Sequence, residues 1–317
     1  MKAISIVAMV IGLPGTSVNA DTPAEKPNAR IIITRGLKMK ILAIGLLILV
    51  MMSGQLNADN HSAANNKITL NLDSTSEVLV KGFIAPIGDT VSDDFKDWDA
   101  LTNLRVAEPE KRYPASVFQS FLPNKPISVG ELWVPDMTGI VTLLKQLHPT
   151  PNLLMHINAG DSLGLWACLR AYNDQYADIV FRIHAEFAFK DGWFTPSQFT
   201  GHLVIDRLKG KVSFFEMYVP EGPVNFDVNR VVHGSRIAGA GYCSKMELRA
   251  GTQDLLENVD FAASITQAAA ERALILRFYK SQQINWVAPD QVLEMAQAQQ
   301  KPIHVISIDG PLVDESC

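Results

Sequence analysis

Between residues 163 and 226 four runs of strand-forming residues follow one another closely: LGLWACLRAY, DIVFRIHAEFAF, GHLVIDRL and KVSFFEMYV. Within the second run FRIHAEF alternates strictly. Phe181, Ile183, Ala185 and Phe187 share one face, and Arg182, His184 and Glu186 share the other. Gly210 separates two of the runs and predicts a hairpin. This stretch commits the middle of the chain to antiparallel sheet.

The flanks add a few helices. ITLNLD and EVLVKGFI read as strands, broken at Pro86 and Gly88, and VSDDFKDWDALTN as an acidic loop. Residues 113–126 carry three prolines around one helical turn. From Met137 to Leu147 the apolar residues Ile140, Val141, Leu143, Leu144 and Leu147 fall at helical spacing, ended by His148-Pro149. Residues 68–253 therefore read as an α+β main domain rich in β-structure. A second unit is expected over 254–317. It has a helical stretch, AASITQAAAERALILRFYK, then a short extended NWV, then a helix. Asp290 is the expected cap of that last helix, with Val292, Leu293 and Ala296 on one side; Lys301 closes it and Pro302 stops it. A buried-type strand, HVISI, and a loop at Asp309-Gly310-Pro311 follow.

Composition narrows the function. The chain has 317 residues, 47% of them hydrophobic and 19% charged, with a net charge of −5. That excludes a disordered chain, a collagen and a coiled coil. It also argues against a nucleic-acid partner, which needs a basic surface to neutralise phosphates. Six of the basic residues fall in the first 59 positions, so the body is more acidic than the whole.

Those basic residues belong to a leader, residues 1–58. Met39-Lys40 precedes the apolar run ILAIGLLILVMM and then SGQLNA, ending at Ala58: a basic start, an apolar centre and a small residue at a cut site. The run is short of the ~20 residues that span a bilayer, although extension to Leu56 allows a retained anchor. Met1 to Ala20 repeats the layout. Two tandem signals are redundant, so Met39 is the expected natural start; a two-pass N-terminus is the alternative. Residues 59–67 read as a polar linker with a glycosylation sequon at Asn60-His61-Ser62. The expected location is exported or membrane-anchored, facing an oxidising compartment.

In such a compartment Cys168 and Cys243 can form a disulfide; a buried free thiol in the apolar LWACLRA is the other reading of Cys168. His156, His184 and His202 lie far apart in sequence with no HxxxH or CxxC pair, so they read as structural or surface residues, with no metal. GSRIAGAG at 234–241 is glycine-rich, but no Lys-Ser/Thr follows it, which argues against a nucleotide site. No Gly-x-Ser-x-Gly elbow is present.

The tail is more informative. NWV, DQVLEMAQAQQ and KPIHVISI make a β-α-β opening of an α/β sheet. In thioredoxin-like domains the next loop carries the redox cysteine at a helix N-terminus, where free N–H groups and the helix dipole favour thiolate. Cys317 occupies that place. A sheet that stops after two strands has only half a core, so the tail is expected to be the truncated start of a thioredoxin-like domain and to pack weakly.

FTPSQFTGHLVIDR at 194–207, GYCSKMEL at 241–248 and EMAQAQQKPIHVISIDGPLVDESC at 294–317 together resemble the selenoprotein N family. In that family the tail runs into Ser-Cys-Sec-Gly, and Ser316-Cys317 match its first two positions. Selenocysteine uses a codon usually read as stop, so a translation ending at Cys317 is what the resemblance implies. It further implies a thiol/selenol oxidoreductase acting on protein thiols and disulfides, held to a membrane through the N-terminal segment, in the endoplasmic reticulum of animals or the periplasm of bacteria. Selenocysteine is then the expected reactive group, with no bound cofactor. The animal proteins carry an EF-hand; here Asp93, Asp94, Asp97 and Asp99 lack its glycine and distal Glu, so calcium is not expected. The competing class is a non-enzymatic exported binding or scaffold protein.

Overall fold

The computed structural model describes residues 5–10, 67–90, 92–153, 164–222, 224–253, 258–278, 286–287 and 290–308. The strands, in chain order, are β1 (Ser5–Val10), β2 (Glu77–Ile84), β3 (Asp89–Thr90), β4 (Glu110–Pro114), β5 (Leu132–Trp133), β6 (Pro151–Asn152), β7 (Leu165–Tyr172), β8 (Tyr176–Ile183), β9 (Glu186–Phe189), β10 (Gly192–Pro196), β11 (Phe199–Asp206), β12 (Lys211–Tyr218), β13 (Phe226–Val232), β14 (Ser235–Tyr242), β15 (Met246–Gly251), β16 (Ala263–Ser264), β17 (Trp286–Val287) and β18 (Ile303–Ile308). The helices are α1 (Asp99–Thr102), α2 (Ala115–Gln119), α3 (Met137–Leu147), α4 (Gln267–Phe278) and α5 (Val292–Gln299).

Two antiparallel sheets form the body. The larger runs β16-β7-β8-β11-β12-β15-β2-β4, with β5 also on β7; the smaller runs β3-β14-β13-β10-β9-β6. The strands of 163–226 supply the centre of the first and part of the second, as their pattern predicts. The β11–β12 hairpin turns at Gly210, whose φ is +61°. Asp206 fixes that turn, its Oδ1 accepting from the N–H groups of Leu208 (3.1 Å) and Lys209 (2.9 Å).

Phe181, Ile183, Ala185 and Phe187 all lie in the main core, with Leu203, Phe215 and Leu248. Helices α2 and α3 belong to the same core through Phe118, Ile140, Leu143, Leu144 and Leu147. The ring of Phe118 meets that of Phe215 edge-on at 5.2 Å, and Phe121 lies 4.8 Å from Phe181. Helix α3 has the predicted bounds, and the Asp136 carboxylate caps it by accepting from the Thr138 N–H (2.7 Å).

The opposite face of the larger sheet is also covered. Ala270, Leu274 and Phe278 repeat every four residues along α4 and are buried. Ala270 and Leu274 pack on Cys168 and Val180 of β7 and β8. Thr266 starts α4, its hydroxyl accepting from the Ala269 N–H (3.2 Å). Strand β16 pairs with β7. Residues 258–278, read from sequence as part of the tail unit, thus include two elements that join the larger sheet.

The tail forms a third, three-stranded sheet, β17-β1-β18. Both tail strands are antiparallel to β1, so β17 and β18 run parallel to one another with β1 between them in the sheet and α5 between them in sequence. Val287 and Val292 form a small apolar cluster with Met295, separate from the main core. Two sequence expectations are corrected here. Gln291, not Asp290, stands at the N-terminus of α5, without a side-chain cap bond. Leu293 is 64% exposed while Val292 and Ala296 are buried, because residues one and four apart do not share a helix face equally. The helix ends at Gln300 in the left-handed region (φ 51°) before Lys301-Pro302. None of the described helices is long and apolar enough to cross a membrane. The leader over 39–58 lies outside the described residues.

Candidate functional site

Chemistry by thiol exchange needs a thiolate that solvent and substrate can reach. Cys317, the predicted redox residue, lies outside the described residues; the last described element before it is β18. The other two cysteines are described, and neither meets the requirement.

Cys168 is fully buried beneath α4. Burial, assisted by the nearby Asp178 carboxylate, pushes its pKa up to about 11. Cys243 is buried in the main core, its thiol turned to the carbonyls of Lys245 (3.4 Å) and Ala85 (3.7 Å). Burial raises its pKa too. The Asn225 side chain clamps the Cys243 backbone from both sides: its Oδ1 accepts from the Cys243 N–H and its Nδ2 donates to the Cys243 carbonyl, both at 2.8 Å. The disulfide considered from sequence is not formed, and both thiols are free. Its absence has a geometric reason. Cys168 is on β7, and Cys243 lies just before β15, with β8, β11 and β12 between. Four steps of about 4.8 Å greatly exceed the reach of a disulfide.

Beside Cys168, on the same face, runs a row of charged groups. In register across the sheet stand Cys168, Val180, His202, Glu216, Arg249 and Lys81. Asp178, fully buried, accepts from Arg170 Nε and is bonded to His202 Nδ1 at 3.0 Å. Arg249 donates to Glu216. Arg182 donates to Gln198, and His184 and Glu186 are buried with it. The polar half of FRIHAEF is therefore inside the protein. Beside the Asp178–His202 pair the Cys168 thiol is kept protonated, so among the described residues it supplies no nucleophile there. The arrangement ties β7, β8 and β11 together through Asp178, and β12 to β15 through Glu216.

Sequence reading did not single out Asp178, Arg170 or the Asp178–His202 contact. The available signal was alternation: Arg170, Asp178, His202 and Glu216 each sit among strand residues whose alternate neighbours are apolar.

A cleft of about 700 Å³ opens elsewhere, between the start of the main domain, α2 and the N-terminus of α3. Asn71, Gln119, Asn124, Lys125, Trp133 and Asp136 are among its lining residues. Its charged groups have partners in the chain: Lys125 pairs with Glu131 at 3.3 Å, and Asp136 caps α3. Among the described residues no group of three or more His, Cys, Asp or Glu is placed to hold a metal ion.

Comparison with known proteins identifies a distant relationship. The chain is 28% identical to selenoprotein N of Danio rerio over 273 residues, covering 67% of this chain and 48% of the relative. Against selenoprotein N of Mus musculus it is 25% identical over 281 residues, covering 69% and 50%. The Homo sapiens protein gives 26% over 281 residues, covering 69% and 47%. The chain spans about half the length of the curated relatives it matches. No family model matches it, and no solved structure does.

Proposed function

We propose that this distant homologue of vertebrate selenoprotein N is part of an exported or membrane-anchored thiol- or selenol-dependent disulfide oxidoreductase, with Cys317 as one of two reacting groups. The observation that supports this most is the tail, in which β17, α5 and β18 lead towards Ser316-Cys317. A cysteine that follows such a strand and starts the next helix gains thiolate stabilisation from the helix N-terminus. The buried state of Cys168 and Cys243 leaves Cys317 as the one cysteine suited to exchange.

In this reading a selenocysteine follows Cys317, and β17, α5 and β18 open a thioredoxin-like unit. The selenolate attacks one sulfur of a protein disulfide. The S–S bond breaks, an Se–S bond forms, and the second sulfur leaves as thiolate. The Cys317 thiolate then attacks selenium and expels the first sulfur. The substrate has gained two electrons, and the enzyme holds a Cys317–selenium bond that a cellular dithiol must reduce. Protein disulfides in the periplasm or reticulum lumen are the substrates, and residues 39–58 provide export or anchoring.

The nucleotides after codon 317 give the first test. An in-frame TGA followed by codons for Gly and an amphipathic helix is expected; TAA or TAG refutes the reading. The extended protein, with cysteine in the selenocysteine position, should reduce a model disulfide when given dithiothreitol. Its Cys317→Ser variant should keep the fold and accumulate a mixed adduct with substrate, because the resolving group is gone. Equal turnover by parent and variant overturns the assignment.

A further inference from the structure

Four short segments, all of them described, line the cleft of about 700 Å³ beside α2. In residues 67–72 burial alternates: Ile68 and Leu70 are buried, while Thr69 and Asn71 are exposed and line the cleft. Residues 116–120 are α2 and its end, residues 122–125 follow it, and residues 133–136 lead into α3. These segments are tied to one another. Ile68 and Ile127 exchange two main-chain hydrogen bonds, of 2.8 and 2.9 Å. The Leu72 N–H donates to Gln119 Oε1 at 2.9 Å. The Asp136 N–H donates to the Ser120 carbonyl and Trp133 Nε1 to the Phe121 carbonyl, both at 2.8 Å. The cleft is thus built in advance, and a ligand would meet little cost of ordering it.

What the cleft offers is mostly uncharged. One cation, Lys125, and one anion, Asp136, cancel in the lining, and each already has a partner in the chain. Leu122, Pro123 and Pro135 are buried and supply apolar surface. The side-chain amides of Asn71 and Asn124 are exposed and bond to no other described residue, and Gln119 keeps its Nε2 group unused. Next to these groups two apolar residues stay uncovered, Val134 at 41% exposure and Met137 at 46%.

We propose that this cleft binds a short, extended, uncharged stretch of another polypeptide, with the amides of Asn71 and Asn124 bonding its main chain. A side-chain amide carries one carbonyl acceptor beside its N–H donors, which is the complement of a peptide group. The chain already uses its amides this way. Asn225 holds both main-chain groups of Cys243, Gln146 Nε2 donates to the Val80 carbonyl at 3.0 Å, and Gln119 accepts from Leu72. An apolar side chain of the bound segment lies on Leu122 and Pro123, and Val134 and Met137 continue that contact past the rim.

Recognition through main-chain groups tolerates many sequences, with one or two side-chain contacts setting the preference. A saccharide is a poorer match to the same walls. Its ring would want an aromatic face, and Trp133 is 8% exposed with its N–H turned inwards to Phe121. The binding needs no thiol, so it stands apart from any role of Cys317.

Fluorescence anisotropy tests this on the full chain in a Cys317→Ser background, where no redox step intervenes and a failed redox assignment leaves the result untouched. The probe is the fluorescein-labelled peptide Ser-Gln-Leu-Val-Asn-Ser-amide, which has no cysteine and no charged side chain. Saturable binding is expected. Asn71→Ala and Asn124→Ala should each weaken it about three- to tenfold, the worth of one lost hydrogen bond. Their urea midpoints should match the background protein, because neither amide has a partner among the described residues. Unlabelled peptide should displace the probe, whereas the same peptide methylated on its main-chain nitrogens should not, and neither should maltotriose. A dissociation constant above about 1 mM, equal affinity in the background protein and both alanine variants, or displacement by the methylated peptide or by maltotriose overturns the proposal. A cleft already filled by another part of the chain would appear as the first of these.

Discussion

Replacing Asp178 by alanine should be among the most damaging single changes in this chain. Its carboxylate is fully buried and holds two partners, Arg170 and His202. Alanine would leave a guanidinium and an imidazole without their acceptor beneath α4. Removal of one member of a buried pair costs about 3–5 kcal/mol. Arg170 and His202 are 15% and 14% exposed, so some water reaches them and the lower end, about 3 kcal/mol, applies. With a urea dependence of about 3 kcal/mol per M, the unfolding midpoint should fall by about 1 M. Asp178→Asn keeps an acceptor oxygen and loses only the charge, so about half that loss is expected. Tryptophan fluorescence in a urea titration measures both. An Asp178→Ala midpoint within about 0.3 M of the parent, equivalent to under about 1 kcal/mol, would refute the view that this carboxylate organises the face. So would an asparagine variant as unstable as the alanine one.

Two more outcomes follow from the thiols and the leader. Cys168 and Cys243 should resist iodoacetamide in the folded protein at pH 8 and react fully in urea, read by mass. Because the Cys168 pKa is raised to about 11, its thiolate is scarce below that pH; Asp178→Asn removes a neighbouring negative charge and should move the onset of labelling to lower pH, and an upward move would contradict the sign. A fusion of residues 39–70 to a reporter active only outside the cytoplasm should be active, and a stable but inactive cytosolic fusion would remove the argument for compartment.

Much of the scaffold was readable before any coordinates. The β-runs of 163–226, the turn at Gly210 and the bounds of α3 follow from periodicity and local turn chemistry, which act over a few residues. What covers a strand's second face does not. Arg182, His184 and Glu186 alternate with apolar residues whether the far side meets water or protein. Helix α4, some 80 residues onwards, covers Cys168 and Val180 on that far side. The Asp178 contacts were hidden for the same reason, since they join neighbouring strands through register. The cap of α5 was misread because Asp290 has the right chemistry one residue too early. The glycines of 234–241 are weighed in the sequence only against a nucleotide site, which they do not fit; a strand needs them because Phe95 lies against one and the hairpin turns on another. The predicted site residue, Cys317, rests on the tail sequence and its resemblance.

Asn225 gives the chain a chemical clock. Its side-chain amide does the work of a peptide group, donating to and accepting from the same residue, Cys243. Asparagine amides hydrolyse slowly to carboxylates as proteins age, and here that would replace the donor with a second acceptor facing the Cys243 carbonyl. The hydrolysis requires attack by the following main-chain nitrogen on a freely turning side chain, and the two bonds to Cys243 deny it that freedom. Folding thus protects an amide that holds the junction between β14 and β15, and a molecule that stays open there long enough for the hydrolysis would be unable to close again in the same way.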